Sequence, residues 1–320
     1  MKSIYVADLT EGTDLFNEPF LLADVVRRET KDGRPYLLST FRDRTGQLNG
    51  VFWDVPSHIE KEARAGTVTL VTGRVNSYKN ALQITATDLN PIEAPDMSEF
   101  LPSSGRPVEQ MVAELRLFIE SLDSPWQELV AAILLDEQFL VEFANAPAAR
   151  SMHHAYVGGL IEHTLSMARV ARFLADHYPH VNNSLLLTGV LLHDLGKALE
   201  YETAGSFDFT DDGRLVGHIV RAIIMIEAAA DELVTSGQVT LSKEQRRQLV
   251  HLIASHHGTQ EWGSPVVPKT LEAILLHQVD LLDSRVQGFF DHLNNDDGDN
   301  LWTTRPSYMF NTELRRPPDL

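Results

Sequence analysis

The chain has 320 residues, of which 43% are hydrophobic, and this length is comfortable for two domains. It contains no cysteine, so disulfides and thiolate metal sites are excluded, and no apolar run reaches 18 residues, which argues against a membrane span. The net charge of −18 argues against a broad basic nucleic-acid surface, and because the N-terminus lacks a signal-peptide pattern we expect a cytoplasmic protein.

The charge is unevenly distributed along the chain. Residues 1–100 hold 11 basic and 15 acidic side chains, whereas the remainder holds 16 and 30. A nucleic-acid partner therefore remains open for the first part. The acidity of the second part suits divalent cations, or serves only to keep the chain in solution.

The pattern over residues 19–89 predicts β-structure after a polar lead-in over residues 1–18. Runs rich in β-branched and aromatic residues are separated by turn signals such as Asp32-Gly33, and residues 56–65 have helical composition. The predicted strands cover residues 20–26, 36–41, 47–53, 67–75 and 82–89. Five strands with a helix between the third and fourth indicate an OB-fold, a small barrel that often binds single-stranded nucleic acid. Residues 18–92 resemble the tRNA-anticodon-binding type.

Aromatic and cationic side chains alternate in this predicted barrel, as they do where proteins stack and hold single strands. The candidate contacts are Phe41, Arg42, Trp53, Arg74, Tyr78 and Lys79. Any of these rings can instead fill the barrel core. Since strand neighbours point to opposite faces, only one of Phe52 and Trp53 faces inward.

Four prolines in residues 91–107 predict a linker, so we place an OB-fold domain at 1–95, a linker at 96–107, a helical domain at 108–293 and an irregular tail at 294–320. Apolar spacing of three to four residues predicts the helices. They cover residues 108–122, 126–135, 137–144, 161–178, 183–195, 218–234, 243–255 and 269–293. A hairpin is predicted over residues 201–216, with its turn at Asp211-Asp212-Gly213. The overall prediction is a small all-β barrel followed by an all-α domain.

Local signals mark several helix starts and the tail. Either Asn182 or Asn183 can cap the helix that leads into His193, and Ser242 can cap a later one. In the tail, aromatic residues are expected to anchor the chain to the helical domain. They are Trp302, Tyr308 and Phe310.

Histidines and aspartates concentrate in the predicted helical domain, which holds every histidine except His58. Taken singly, a histidine on a helix is more often an ordinary surface or core residue. Several helices that each offer an imidazole or a carboxylate instead favour a divalent metal site, and Mn, Fe, Co or Zn would suit such ligands. The candidates are His163, His193, Asp194, His218, His256, His257, His277 and Asp280.

The order His163 … His193-Asp194 … Asp280 resembles the HD superfamily of metal-dependent phosphohydrolases, as do the strings GGLIEHTLSMARVA and LLTGVLLHDLGKALEY. The resemblance implies that these four residues hold one metal ion. It also implies a second ion at His218 and at either His256 or His257, with Asp194 as the catalytic bridge and Lys197 beside the scissile phosphate. Neighbours on a helix diverge, so His256 is favoured as the ligand and His257 as a supporting or substrate-contacting residue.

Further residues near these motifs have open roles. His277 and Asp283 could support the metal ligands. His153 and His154 could bind phosphate or be structural, and of these His154 is taken as a substrate-contact candidate. Glu162 is expected to be an exposed helix residue.

The order of barrel, linker and helical domain resembles the bacterial YhaM-type 3′→5′ exoribonucleases. The strings HHAYVGGLIEHTLSMARVA and SHHGTQEWGSPVVPKTLEAILLHQVDLLDSR carry this resemblance. It implies a nuclease, dependent on two ions of Mn or Co, that shortens single-stranded RNA or DNA from the 3′ end. Fe, Ni and Zn are alternative metals.

Two other functions stay open at this point. One is an HD-type hydrolase of nucleotides or cyclic dinucleotides, although such a substrate would not need the barrel. The other is a non-catalytic nucleic-acid-binding protein, against which the ligand set and Lys197 argue. A homo-oligomer is not excluded, and no membrane partner is expected.

Overall fold

The computed structural model describes residues 2–79, 81–93, 97–101, 103–149, 154, 156–202, 208–294, 296, 298 and 300–317. Contacts divide the chain into two compact units, Met1–Ser103 with Glu202–Asp208, and Ser104–Tyr201 with Phe209–Leu320. Within the described ranges, no helix is both long and apolar enough to span a bilayer.

The first unit is a closed barrel of five strands. The strands are β1 (Asp14–Glu29), β2 (Pro35–Asp43), β3 (Gly46–Trp53), β4 (Val68–Tyr78) and β5 (Ala81–Pro91), with the helix α1 (Ser57–Glu62) between β3 and β4. Around the barrel the order is β1-β2-β3-β5-β4, and only the β3–β5 pair is parallel. The predicted OB-like barrel with one intervening helix is confirmed.

The predicted polar lead-in is wrong, because this segment belongs to the barrel. β1 begins at Asp14, and the Lys2 ammonium is buried 3.2 Å from a carboxylate oxygen of Asp43. Lys2 Nζ also donates to the Pro19 carbonyl at 2.8 Å and lies 3.5 Å from the centre of the Phe20 ring. Burial lowers the pKa of Lys2, and Asp43 partly offsets this effect. Sequence patterning missed the arrangement because a lysine near a terminus is usually solvated.

The second unit is mainly helical, as predicted, with one small sheet in addition. Its helices are α2 (Val108–Glu120), α3 (Trp126–Leu134), α4 (Glu137–Asn145), α5 (Gly159–His177), α6 (Asn183–Leu192), α7 (Lys197–Glu200), α8 (Asp211–Leu215), α9 (His218–Thr235), α10 (Lys243–Ser255) and α11 (Leu271–Asn294). The sheet pairs the two-residue strands β6 (Tyr201–Glu202) and β7 (Asp208–Phe209), of which Tyr201 and Phe209 belong to this unit.

The hairpin predicted over residues 201–216 is only partly correct. Its expected turn and second strand form α8, which begins where Thr210 Oγ1 accepts a hydrogen bond from Gly213 N at 2.9 Å. Asp211 and Asp212 lie in the first turn of α8, where negative charge is favourable. A threonine cap and two acidic residues therefore outweigh the turn propensity of the Asp-Asp-Gly sequence.

Helix α6 lies at the centre of the second unit and leads directly into His193-Asp194. All of its residues from Ser184 to Leu192 are buried, and it packs against α5, α10 and α11. An apolar surface on every side is typical of a helix enclosed by others. Asn182 is its cap, with the side-chain oxygen accepting from Leu185 N at 3.0 Å.

The tail follows α11 and packs against it through one of the three predicted anchors, Phe310. Trp302 and Tyr308 are 53% and 88% exposed, so they are not buried anchors, whereas the Phe310 ring packs against Phe289 at 6.2 Å. Arg316 donates to a carboxylate oxygen of Asp296 at 2.8 Å. The tail is therefore held by a ring contact and polar bonds.

Candidate metal centre

Five segments of the second unit bring the predicted ligands together. His163 lies on α5, His218 begins α9 and Asp280 lies on α11. His193-Asp194 follows α6, and His256-His257 follows α10. The predicted ligands form two clusters, in each of which the ligand atoms lie within 4.8 Å of one another, and a third such cluster joins His163 to His154 and Asp283. The two clusters of predicted ligands are His163, His193 and Asp280, and Asp194, His218, His256 and His257.

The Asp194 carboxylate lies between the two clusters and is only 3% exposed. Its Oδ2 is 3.2 Å from His193 Nε2 and 3.9 Å from His163 Nε2. Its Oδ1 is 3.6 Å from the Nε2 atoms of both His218 and His256. Each carboxylate oxygen therefore faces a different set of imidazoles.

Main-chain carbonyls orient two of these imidazoles. His193 Nδ1 donates to the Val190 carbonyl at 2.8 Å, and His256 Nδ1 donates to the Ile253 carbonyl at 2.7 Å. Both acceptors belong to the last turn of the preceding helix, where carbonyls lack helical partners. A carbonyl can only accept, so Nδ1 carries a proton and Nε2 is the ring nitrogen that faces Asp194.

Carboxylates orient two other imidazoles. His163 Nδ1 lies 2.7 Å from Asp283 Oδ2, and His218 Nδ1 lies 3.1 Å from Glu200 Oε1. A carboxylate on the remote ring nitrogen is the usual support for a metal-binding histidine. Asp283 was considered for this role from the sequence, whereas Glu200 was missed, because no sequence signal pairs it with a histidine 18 residues away.

Several buried polar atoms at this centre have no hydrogen-bond partner in the described part of the chain. They include the Nε2 atoms of His193, His218 and His256, and Oδ1 of Asp194. A buried polar group without a hydrogen-bond partner destabilises the folded state. Four such atoms at one place therefore indicate a binding site for a ligand. Imidazole nitrogens with carboxylate oxygens suit a divalent transition metal, so the residues fit such an ion.

The charges of the centre favour ionised carboxylates. Burial opposes the charge of Asp194, but Lys197 and His193 hold the pKa of its carboxyl well below the usual range. Burial also opposes the charge of His163, yet Asp280 and Asp283 raise its pKa to about 9. Burial lowers the pKa of His257 to about 3.

Lys197 and Gly196 complete the motif that follows Asp194. Lys197 Nζ lies 2.7 Å from Asp194 Oδ2, and this carboxylate raises its pKa against the effect of burial. A Cβ atom at Gly196 would lie 2.2 Å from the His218 carbonyl oxygen. Glycine at this position therefore allows the first turn of α9 to approach Asp194.

His154, a predicted substrate contact, has a structural role in the described residues. Its side chain is buried, with Nδ1 2.7 Å from the Tyr156 hydroxyl and Nε2 3.2 Å from Asp283. Glu162 accepts from Tyr156 at 2.8 Å, so it belongs to the same network and is not simply exposed. His153 lies outside the described residues.

His277 lies beside this centre without belonging to either cluster. Its Nδ1 donates to the His256 carbonyl at 2.9 Å. This contact is in keeping with the supporting role considered from the sequence.

In the barrel, strand alternation separates buried from exposed aromatic rings. The prediction that Phe41 contacts nucleic acid is wrong, because it shares the inward face of β2 with Leu37 and is 1% exposed. Phe52 is also buried, whereas Trp53 and Tyr78 are 50% and 58% exposed.

The cationic candidates of the barrel reach the surface to different extents. Arg74 and Lys79 are exposed, and Arg74 lies 3.6 Å from Asp14. Arg42 is half-buried and donates to Gln47 at 2.8 Å. These three residues remain predicted contacts.

Comparison with known proteins matches both units. Residues 160–285 match the family model described as HD domain, and residues 21–92 match the one described as OB-fold nucleic acid binding domain. Two solved structures are also similar. The second OB-fold domain of replication protein A from Methanococcus maripaludis has 20% identity and a TM-score of 0.23, covering 29% of this chain and 96% of its own. The HD domain of the L. monocytogenes phosphodiesterase PgpH has 17% identity and a TM-score of 0.26, covering 51% and 74%.

A full-length relative extends across both units. The 3′-5′ exoribonuclease YhaM of Listeria monocytogenes serotype 4b (strain CLIP80459) is 34% identical over 287 residues, which are 88% of this chain and 88% of the relative. The barrel, the helical unit with its histidine and aspartate centre, and this identity along most of the chain show that it belongs to the YhaM family of 3′-5′ exoribonucleases.

Proposed function

We propose that this chain is a metal-dependent 3′→5′ exonuclease that hydrolyses phosphodiester bonds of single-stranded RNA, with DNA as a further substrate. One observation carries the proposal. In a chain of the YhaM family, unpartnered imidazole nitrogens from three segments converge on both oxygens of the buried Asp194 carboxylate.

Two ions are proposed, with Asp194 between them. His163, His193 and Asp280 would hold one ion with Oδ2 of Asp194, and His218, His256 and His257 would hold the other with Oδ1. The division of the ligands into two clusters, one at each carboxylate oxygen, supports this assignment. Mn or Co is expected from the family resemblance, and ligands of this type also accept Fe, Ni and Zn.

Divalent ions at such a centre supply Lewis acidity, lowering the pKa of water and neutralising charge on phosphate oxygens. The protein's part is orientation, because the imidazoles are held by carbonyls and carboxylates before substrate arrives. Lys197, fixed by Asp194, would place a further positive charge beside the phosphate. Trp53, Arg74, Tyr78 and Lys79 of the barrel would hold the strand by stacking and by charge.

The test uses a 5′-labelled single-stranded RNA, a mononucleotide and a cyclic dinucleotide, each incubated with the full-length protein and Mn²⁺. A ladder of labelled products that shorten stepwise is expected from the RNA. Asp194→Asn should remove hydrolysis while RNA binding persists, and Asp176→Asn, an exposed change on α5, should behave as the wild type. Cleavage of the small substrates alone would exclude the proposal, and so would RNA binding without hydrolysis in several metals.

A further inference from the structure

A cavity of about 660 Å³ adjoins the metal centre within the second unit. Lys197, His218 and Asp280 contribute to its lining, so it opens onto the proposed hydrolytic site. Its volume lies within the roughly 300–1,000 Å³ that is usual for small-ligand pockets. His257 also lines it, but several further lining residues, among them Trp262, Arg285 and Tyr308, have no role in the proposed hydrolysis.

Two solvent-exposed aromatic side chains line this cavity. Tyr308 of the tail is 88% exposed, and Trp262, from the loop between α10 and α11, is 52% exposed. The Trp262 carbonyl accepts from His257 Nδ1 at 2.7 Å, which ties this loop to the metal centre. Exposed aromatic faces beside a phosphate-handling site are suited to stacking on nucleobases.

The residues that follow Tyr308 in the tail pack against α11. A Cβ atom at Gly288 on α11 would lie 2.9 Å from Met309 Sδ, so the Met309 side chain packs closely against α11 at this point. Phe310 packs against Phe289, and Asn311 N donates to the Ser307 carbonyl at 2.7 Å, closing a turn. The neighbours of Tyr308 are therefore fixed while its own ring remains available.

Arg285 adds a positive charge to the same lining. Its side chain is exposed and forms no ion pair with a carboxylate of the described residues, although the chain has a net charge of −18. A guanidinium in this position matches the geometry and charge of a phosphate group.

We propose that this cavity binds the 3′-terminal nucleotide of the strand, with Tyr308 and Trp262 against its base and Arg285 on the phosphate that links it to the next nucleotide. The inference rests on the proposed exonuclease function. When that phosphate lies at the metal centre, the attached nucleoside must occupy adjoining space, and the cavity is such a space. The matching free ligand is a nucleoside 5′-monophosphate.

The first test measures the binding of adenosine 5′-monophosphate and of inorganic phosphate to the full-length, Mn²⁺-loaded protein by titration calorimetry. Tyr308→Ala should weaken binding of the nucleotide about 5- to 150-fold and leave that of phosphate unchanged, since one stacked base is lost. Arg285→Gln should weaken both about 10-fold or more. The controls are Phe173→Ala, an exposed ring of α5, and Arg247→Gln, an exposed cation of α10, and neither should change the binding of either ligand.

Equal affinity of the wild type for the two ligands would overturn the proposal, as would equal behaviour of Tyr308→Ala and Phe173→Ala.

The second test follows single-turnover removal of a 3′-terminal residue that carries or lacks its base. Base removal should slow the wild type and have a smaller effect in Tyr308→Ala, in which only Trp262 is left against the base. If the wild type cleaves both RNAs at the same rate, the cavity does not bind the terminal base, and the exonuclease proposal is unaffected. If no RNA is cleaved but nucleotide binding still depends on Tyr308, the cavity is a nucleotide-binding site and the exonuclease proposal is wrong.

Discussion

Four imidazoles direct the same ring atom, Nε2, towards Asp194, because each Nδ1 already has an acceptor. The acceptors are the carbonyls of Val190 and Ile253 and the carboxylates of Asp283 and Glu200. The ligand set could be predicted from the sequence, since its residues lie in recognisable motifs. Glu200 could not, because β6, β7 and α8 lie between it and His218 in the chain. At the residue scale, the centre depends as much on these supports as on its ligands.

The support of His163 can be tested at Asp283. Asp283→Ala should lower metal affinity about 10- to 100-fold, because His163 loses the carboxylate that orients it. Asp283→Asn should recover part of the loss, since its amide oxygen still accepts from Nδ1. Titration calorimetry with Mn²⁺ measures the change, and Asp176→Ala on α5 is the control. Unchanged affinity in Asp283→Ala would show that His163 needs no such support.

Lys197 is expected to act on phosphate and not on metal retention. Lys197→Met should lower kcat on RNA by about 100-fold, as losing one charge-stabilising donor commonly does. Metal affinity should stay constant or rise, because a cation 2.7 Å from Asp194 opposes a second cation there. Steady-state kinetics and calorimetry separate the two effects, with the exposed Lys243→Met as control. A parallel loss of metal binding would make Lys197 a structural residue.

At the element scale, two helices deliver ligands in the same way. α6 ends at Leu192 and α10 at Ser255, and the histidine that follows each helix donates to the carbonyl three residues earlier. The otherwise unsatisfied carbonyls of a helix end thereby set the direction of a ligand. Most helix and strand positions could be predicted from periodicity. Residues 211–215 could not, because a threonine cap decided between turn and helix.

The cap of α6 offers a matched pair of variants. The sequence left Asn182 and Asn183 equally suitable, and the structure places the cap at Asn182. Asn182→Ala should destabilise the helical unit by about 0.5–2 kcal/mol. Asn183→Ala, which removes no cap hydrogen bond, should cost less. The urea midpoint of that unit's unfolding is the measurement, and equal shifts in the two variants would contradict the assignment.

At the scale of the whole molecule, the two units carry different chemistry. The barrel presents exposed aromatic rings at separate positions, since Trp53 follows Phe52, which pairs with Ala86 on β5, whereas Tyr78 pairs with Ala81. The five residue steps from Ala81 to Ala86 along β5 correspond to about 17 Å. The helical unit carries most of the negative charge and the entire metal centre. Strand holding and bond cleavage are therefore expected to respond to different substitutions.

Tyr78→Ala tests this division. It should weaken binding of a long single-stranded RNA about 5- to 150-fold by removing one stacking face. Hydrolysis of a dinucleotide should be unchanged, because so short a substrate needs only the metal centre. Fluorescence anisotropy and product chromatography provide the two readouts. Phe16→Ala is the control, an exposed ring of the same barrel whose neighbours in the sequence are Leu15 and Asn17. If Tyr78→Ala lowered RNA binding and dinucleotide hydrolysis equally, the barrel and the helical unit would not have separate roles.

The sequence by itself determined the barrel and the helical unit, the order of most of their elements and the candidate metal ligands, because periodicity and short motifs are local properties of the chain. Only the tertiary structure decided which side chains face the core and which groups support the ligands. Phe41 is buried and Trp53 exposed because of how the barrel closes. Arg285 and Tyr308 reach one cavity because the tail folds back along α11. Such contacts join residues far apart in the chain, so no local pattern records them.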